Sequence, residues 1–460
     1  MKNALFFIIC LTLIFTACRK DSFISSPTAS VRITADTLKY DTVFTTAGSV
    51  TQSFKIINQN NRRLRLSAIE LMGGNSSSFN MNVDGVATTA IENIEVEADD
   101  SIYVFVQVTV DPTTVGPSFV LRDSIRVAYN GVERFVQLEA WGQNAHFLRN
   151  TEITGNETWS NDLPYVILGY LRVNENASLD LEKGCRIYVH ADAPIVVDGA
   201  LRADGGKDPA DHIYFQGDRL DQPYADYPAS WPGIYFSETS SQNVLTYTVI
   251  KNAYQAITTV GNTGPDPKLL LNACFIDNAY DAGLIAINSS VDANNLLLTN
   301  CGKNLVISNG GDYNFNHCTI VGFSNRFIGH QYPVLSISNA GSGGTAPLNA
   351  LFSNCIFWGD DGVVDDEITA DKEGNGPYSL VFDHVLWRQT NNPSNSTVIA
   401  LVGNTDPLFL NTDPEEGPYN FRFAEGSPAA NSGKPTSLVV DIDGNPRPAG
   451  IPDLGVYEVQ

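Results

Sequence analysis

Apolar residues in the second half of this chain recur in groups of three to five, set between short runs of Asn, Gly, Asp and Ser. Groups that short, with inward and outward positions alternating, predict strands rather than helices. One phrase repeats most clearly. It stands as Tyr247-Thr-Val-Ile-Lys-Asn-Ala-Tyr254 and again, 26 positions on, as Ala273-Cys-Phe-Ile-Asp-Asn-Ala-Tyr280. Looser copies follow at Leu298-Thr-Asn-Cys301, Asn316-His-Cys-Thr-Ile320 and Ser353-Asn-Cys-Ile-Phe357. A repeat at this period predicts a solenoid, in which each coil buries its apolar side only by stacking on its neighbours. A leucine-rich repeat would need fixed Leu positions and helix formers in the spacers. Here the Leu positions drift and the spacers carry Gly and Asn. A parallel β-helix is the expected form, with the Asn residues as a ladder of side-chain amides at a turn and the cysteines as small inward hydrophobes.

The first part of the chain has a different rhythm. Met1–Ala17 carries an apolar run at residues 4–15 and one Lys, too short to span a bilayer and patterned as a signal peptide. Residues 18–30 are expected to be a tether. From 31 to 145 the pattern is that of a sandwich: Ile102, Val104, Val106, Val108 and Val110 alternate with Tyr103, Phe105, Gln107 and Thr109. Further strands are expected at 53–57, 64–71, 123–129 and 135–141, with turns at 58–61, 73–75 and 130–131.

Several of these stretches resemble known families. Phe15-Thr-Ala-Cys18 resembles the lipobox of bacterial lipoproteins, which implies Cys18 as the lipidated mature N-terminus. Arg19-Lys-Asp21 is similar to the export tags of Gram-negative surface lipoproteins. Ser53-Phe-Lys-Ile-Ile-Asn58, Ser101-Ile-Tyr-Val-Phe-Val106 and Leu138-Glu-Ala-Trp-Gly142 resemble immunoglobulin-like domains of bacterial surface proteins. Ile195-Val-Val-Asp-Gly-Ala-Leu-Arg-Ala203 followed by Trp231-Pro-Gly-Ile-Tyr-Phe236 resembles the first coils of right-handed β-helix proteins of the pectin-lyase-like type. Asp406-Pro-Leu-Phe-Leu410, Tyr419-Asn-Phe-Arg-Phe423, Gly426-Ser-Pro-Ala-Ala430, Asp441-Ile-Asp-Gly-Asn-Pro-Arg447 and Pro452-Asp-Leu-Gly-Val-Tyr-Glu458 resemble a C-terminal segment that closes the last coil of such proteins. The implied order is an immunoglobulin-like sandwich, a right-handed parallel β-helix over 150–410 and a closing segment over 411–460. The implied location is the outer membrane of a Gram-negative bacterium, surface-exposed, with membrane contact through the lipid alone.

Charge narrows the choice of partners. Lys and Arg number 28 against 51 Asp and Glu, a net −23, which opposes nucleic acid, anionic lipid and acidic polysaccharides. Five cysteines follow Cys18, an odd count that cannot close a disulfide framework, so the core must supply stability.

Candidate chemistry is sparse. Asp360, Asp361, Asp365, Asp366 and Glu367 form the one dense acidic cluster, able in principle to hold calcium or to supply a carboxylate pair, and more readily read as a solvated loop face. Asp441, Asp443 and Asn445 resemble part of a calcium loop but lack the closing Glu, so a metal-free turn is expected and no cofactor beyond that possible calcium. Tyr224, Tyr227 and Trp231, on and beside a Pro-containing insertion at 219–229, are candidate sugar-stacking residues. His317 and His384 are expected to be structural. No basic residue or carboxylate pair recurs at the coil period. Two classes therefore stand side by side: a non-catalytic surface lipoprotein that binds glycan or protein, and a polysaccharide lyase or glycoside hydrolase. The first is preferred.

Overall fold

A computed structural model describes residues 22–44, 50–109, 118–261, 264–342 and 344–459, leaving aside the side chains of 41–44, 118 and 119. The signal-peptide stretch, Cys18 and Val110 lie outside them. The described residues are almost wholly β, with single-turn helices at Gly74–Ser76 and Tyr224–Asp226. None contains a helix long and apolar enough to cross a membrane. The chain divides into two compact units, 1–144 and 145–460.

The first unit packs two five-stranded sheets face to face. One runs Val31–Ile33, Gln52–Asn58, Ser101–Val108, Phe79–Val83, Val86–Ala87, all antiparallel. The other runs Thr37–Phe44, Val132–Gln143, Ser118–Tyr129, Leu64–Leu71, Ala90–Val96, its first pair parallel. The alternation read from 102 to 108 is observed: Ile102, Val104, Val106 and Val108 are buried while Tyr103 and Phe105 face outward. Asn130 (φ 48°) and Gly131 (φ 79°) make the hairpin turn that their left-handed tolerance allows. The expected tether differs in its described part. Ile24 bridges to Leu64 and packs on the core, and Ala29 is buried, because two apolar residues found a sheet edge to cover.

The second unit is a parallel β-helix of twenty-four strands in one continuous ladder. Its first strand is His146–Ile153, four residues earlier than the pattern suggested. Each coil contributes to three sheets. In the central coils sheet 1 contains Gln255–Val260 and Ala282–Ile287, sheet 2 Leu269–Asn272 and Val291–Asn294, and sheet 3 Thr248–Lys251, Phe275–Asp277 and Leu297–Thr299. Inward residues form one long core, including a phenylalanine stack in which Phe315, Phe352 and Phe382 lie 5.1 and 5.3 Å apart. Such stacks suit parallel strands, which repeat the same inward position at each coil.

The repeated phrase turns out to straddle two corners. From Tyr247 onward the chain turns between sheets 2 and 3 on one left-handed residue per coil, Tyr247, Ala273, Asn295, His317, Asn354 and His384, whereas the earlier coils use residues 182–185 and 205–212 there. Cys274, Cys318 and Cys355 directly follow such a residue and point inward. Cys301 instead follows Asn300 at the corner between sheets 3 and 1, in the row of Ala253 and Ala279. All four, with Cys185, are free and buried, as expected. The amide ladder is real but short: Asn278 Nδ2 donates to Asn252 Oδ1 at 2.8 Å.

The C-terminal segment departs from expectation. Rather than simply closing the last coil, it lies along the outside of sheet 3 over several coils. Phe421, Ala429, Ile442, Leu454, Val456 and Tyr457 pack against Ala273, Leu297, Val321, Ile356 and Leu386. That outer face is apolar, and the segment removes it from water. Arg447 fastens it: buried, it donates to Glu458 at 2.7 Å within the segment and to Asn295 Oδ1 of the β-helix at 2.9 Å.

Candidate functional site

Strand register builds the floor of a cleft on the outer face of sheet 3. Tyr214, Val249, Phe275 and Leu297 follow one another on adjacent strands as an apolar row. Two residues further along the same strands, Lys251, Asp277 and Thr299 form a polar row. Adjacent strands are about 4.8 Å apart, so the rows are ridges of matched spacing. Asp277 accepts from Thr299 Oγ1 at 2.8 Å and from Asn300 Nδ2 at 3.4 Å. Burial pushes its carboxyl above the usual carboxylate range, with Lys251 and those donors opposing.

The walls come from two sources. On one side stand Pro418, Tyr419, Phe421 and Tyr457 of the C-terminal segment, with Tyr419 and Phe421 stacked at 5.8 Å. On the other are loops that leave the corner between sheets 3 and 1. Asn252 Nδ2 and Asn278 Nδ2 hold the 219–229 insertion by its carbonyls at Ala225 and Asp226, at 2.7 and 3.0 Å. The ladder amides thus fix a loop as well as each other.

Between floor and walls lie three open spaces that share lining residues. A pocket of about 520 Å³ over the floor rows meets a cleft of about 900 Å³ at Asp277, Pro418 and Tyr419. That cleft continues into a further 600 Å³ through Ser324, Asp413 and Pro414. Carboxylates dominate its length: Asp226, Asp413, Glu415, Asp360, Asp361 and Asp406, against Lys251 and Arg326. An elongated, acidic groove with aromatic walls suits hydroxyl-rich or cationic chains and repels polyanions.

The residues singled out from sequence fare unevenly. Tyr224 is exposed beneath the Arg219 guanidinium, 3.9 Å from its ring, and Tyr227 packs on Phe327 at 5.1 Å. They belong to the wall loop. Trp231 does not: it is 1% exposed inside the coil, its Nε1 donating to Lys251 O at 2.8 Å. It is bridged to Ala253, and small residues in that inward row leave room for the indole. Gly233 is required beside it, since a Cβ there would sit 1.7 Å from the Gln255 carbonyl.

The acidic cluster is not one site. Asp360 receives the Ser324 N–H at 2.8 Å, Asp361 is exposed and meets Arg388 at 2.9 Å, Asp365 is exposed, and Asp366 receives the Thr390 N–H. Glu367 is fully buried, gripped by His330 at 3.1 Å and Arg388 at 2.9 Å. The loop therefore divides these five carboxylates between solvent and core, with Arg388 shared by Asp361 and Glu367 and a shallow pocket shared by Asp361 and Asp365. Asp441 is likewise buried, its oxygens receiving the backbone N–H groups of Asp443, Asn445 and Glu458 and the Asn445 amide. Asp443 pairs with Arg422 at 2.6 Å. Donors, not open oxygens, surround these groups, and no cluster of metal-ligating side chains occurs among the described residues. His317 is fully buried and His384 is a left-handed corner residue within a strand.

The floor residues Lys251, Asp277 and Thr299 were missed because each lies inside or beside the repeated phrase, where a polar outward residue looks like ordinary alternation. Their signal was the 26-residue offset that sets Lys251 against Asp277.

No family model and no curated protein matches the chain. Among solved structures it is similar to the catalytic unit of a thermostable GH87 α-1,3-glucanase from Streptomyces thermodiastaticus strain HF3-3, at 11% identity, over 77% of this chain and 89% of that one, with a TM-score of 0.27. It is also similar to a family 123 glycoside hydrolase from Clostridium perfringens, at 7% identity and a TM-score of 0.19, over 26% of this chain and 30% of that enzyme's length. A PapD-like domain of human CEP192 matches at 8% identity over 28% of this chain and 96% of that domain, with a TM-score of 0.18. Similarity this low carries no functional argument.

Proposed function

We propose that this protein is a surface-anchored binding protein that takes an extended neutral glycan in the cleft over sheet 3. The observation that carries the reading is the cleft floor: an apolar row beside the polar row Lys251, Asp277 and Thr299, under aromatic walls. Sugars offer an apolar ring face and a rim of hydroxyls, and this floor offers a matching surface for each. The carboxylates along the cleft favour hydroxyl donors and oppose uronic-acid polymers. In the same proposal, lipid on Cys18 tethers the chain to the outer membrane, and the first unit serves as an immunoglobulin-like spacer. The test is a binding screen of the purified chain against neutral and acidic polysaccharides, with and without calcium. Binding confined to acidic polymers would overturn the reading, as would loss of all binding on adding a chelator.

One observation favours a second reading, a glycoside hydrolase. Asp277 sits in the cleft with its carboxyl raised by burial, the condition a general acid needs. Release of reducing ends in the same screen, abolished by Asp277→Asn with binding retained, would establish that reading instead.

A further inference from the structure

The 520 Å³ pocket at one end of the cleft contains a polar atom for which the fold provides no partner. His212 lines it, is 8% exposed, and has its Nε2 unbonded among the described residues. The ring stacks near Tyr247 and Phe275, at 5.7 and 5.5 Å, which fixes its plane. The backbone of Lys207 lies against the ring and opposes the lowering that burial imposes on the imidazole. Burial keeps the imidazole neutral at neutral pH. Nε2 is a buried ring nitrogen without a partner among the described residues. Leaving a buried polar nitrogen unmet is costly, and a ligand hydroxyl, which can donate or accept, would meet it.

The rest of the pocket matches the same ligand. Tyr214 and Phe275 are half-buried rings in its lining, with Phe421 and Tyr457 packed behind, while Asp277 accepts and Lys251 donates on the floor. We propose that this pocket is a subsite for a single uncharged pyranose ring, which packs on the aromatic lining and hydrogen-bonds through its hydroxyls to His212 Nε2 and to Asp277. The proposal rests on the glycan reading of the cleft and assigns one residue of the chain its own place. An uncharged imidazole nitrogen and a carboxylate oxygen both pair with hydroxyls, so they select a ring with free hydroxyls over a uronate or a fully substituted sugar.

The experiment titrates the full chain with methyl glucopyranoside, methyl galactopyranoside, methyl mannopyranoside and methyl xylopyranoside, followed by ligand-observed NMR. In parallel it is titrated with the hexaoses of cellulose, laminarin, mannan and xylan. At least one pyranoside is expected to bind. His212→Phe, which keeps a ring but removes its nitrogens, should weaken it tenfold or more. Lys251→Met, at a half-buried position on the floor, should weaken it severalfold even if His212→Phe proves poorly folded. Arg326→Ala, in the neighbouring cleft only, should leave pyranoside binding unchanged while weakening the hexaose. If a pyranoside binds equally well to wild type, His212→Phe and Lys251→Met, the subsite is wrong. Hexaose binding with no pyranoside binding also overturns it and leaves the cleft reading standing. Absence of both overturns the two together, whereas pyranoside binding lost in His212→Phe without any hexaose binding sustains the subsite and removes the cleft.

Discussion

The β-helix has two corners flanking sheet 3, and both turn on a left-handed residue. Between sheets 2 and 3 that residue is Tyr247, Ala273, Asn295, His317, Asn354 or His384, with φ from 44 to 60° and no insertion over these coils. Between sheets 3 and 1 it is Asn252, Asn278 or Asn300 in three coils, while other coils open there into 218–230, 323–334 and 360–367. The first corner is clamped from outside. Asn295 and Asn354 donate to the carbonyls of Val440 and Lys434, and Gly455 N–H donates to Asn354 O. The second corner has only its own amides and the loops they hold. A corner clamped on both sides admits no extra residue; one facing solvent does, and there the cleft wall is built.

The contrast is broken most severely through the core behind the clamped corner. Phe352 is fully buried in the phenylalanine stack, so Phe352→Ala should cost about 3–5 kcal/mol, read as a loss in denaturation midpoint. Tyr280, exposed at the open corner, should cost within about 0.5 kcal/mol as Tyr280→Ser. Equal losses would mean that the two corners are not energetically distinct.

Acid should act on the clamped corner next. His317 is buried, accepts from Asn354 Nδ2 at 2.8 Å, and is pushed down to about 3 by burial and by the Arg447 charge. An unfolded histidine titrates near about 6.5, so the unfolded chain takes the proton first. The stability that depends on the neutral ring is complete above that pH and is lost as pH falls towards 3, by up to about 1.4 kcal/mol per unit. His317→Asn keeps a residue suited to left-handed φ and cannot be charged in this range. Its unfolding free energy should fall less steeply with acid than that of wild type; parallel acid limbs would contradict the neutral-ring assignment.

How much of this was legible follows from the same division. The clamped corner keeps one residue per turn, so the phrase around Cys274, Cys318 and Cys355 repeats and announces the solenoid. The cleft was not legible, because its floor is made by register between coils and its wall by a segment more than a hundred residues away. Trp231 shows the limit at one residue. A tryptophan beside a loop reads as a sugar platform, yet it lies inward because Ala253 leaves it space. Glu367 shows the reverse, an apparent member of a surface cluster that is the buried anchor of its loop.

A smaller effect separates left-handed sterics from loop holding. Asn278→Ala at the open corner puts a Cβ-bearing residue without a local amide at φ 58°, and removes the bonds to Asn252 Oδ1 and Asp226 O. The cost should be about 1–2 kcal/mol. Asn278→Gly, which relieves the backbone but still lacks the amide, should recover part of the stability and none of the loop order, measured by protease cleavage within 219–229. Full recovery of both would remove the ladder's part in holding the wall.

The smallest expected effect is the sharpest test of the idea that the open corner is free to vary. In the 360–367 excursion Gly362 and Val363 are exposed, Val363 at 79%, while Val364 and Glu367 on its far side are buried and bound. Four residues of Gly and Ser inserted between Gly362 and Val363 extend a closed loop whose ends stay fixed by the Asp360–Ser324 and Glu367–Arg388 contacts. Loop-closure entropy rises only with the logarithm of length, so even doubling the loop should cost about 0.6 kcal/mol. The same insertion after Asn354 must displace Gly455 and Lys434 from their bonds to that residue and shift Cys355 out of the inward row. A penalty there no larger than at Gly362 would show that the clamp follows the corner's regularity rather than enforcing it.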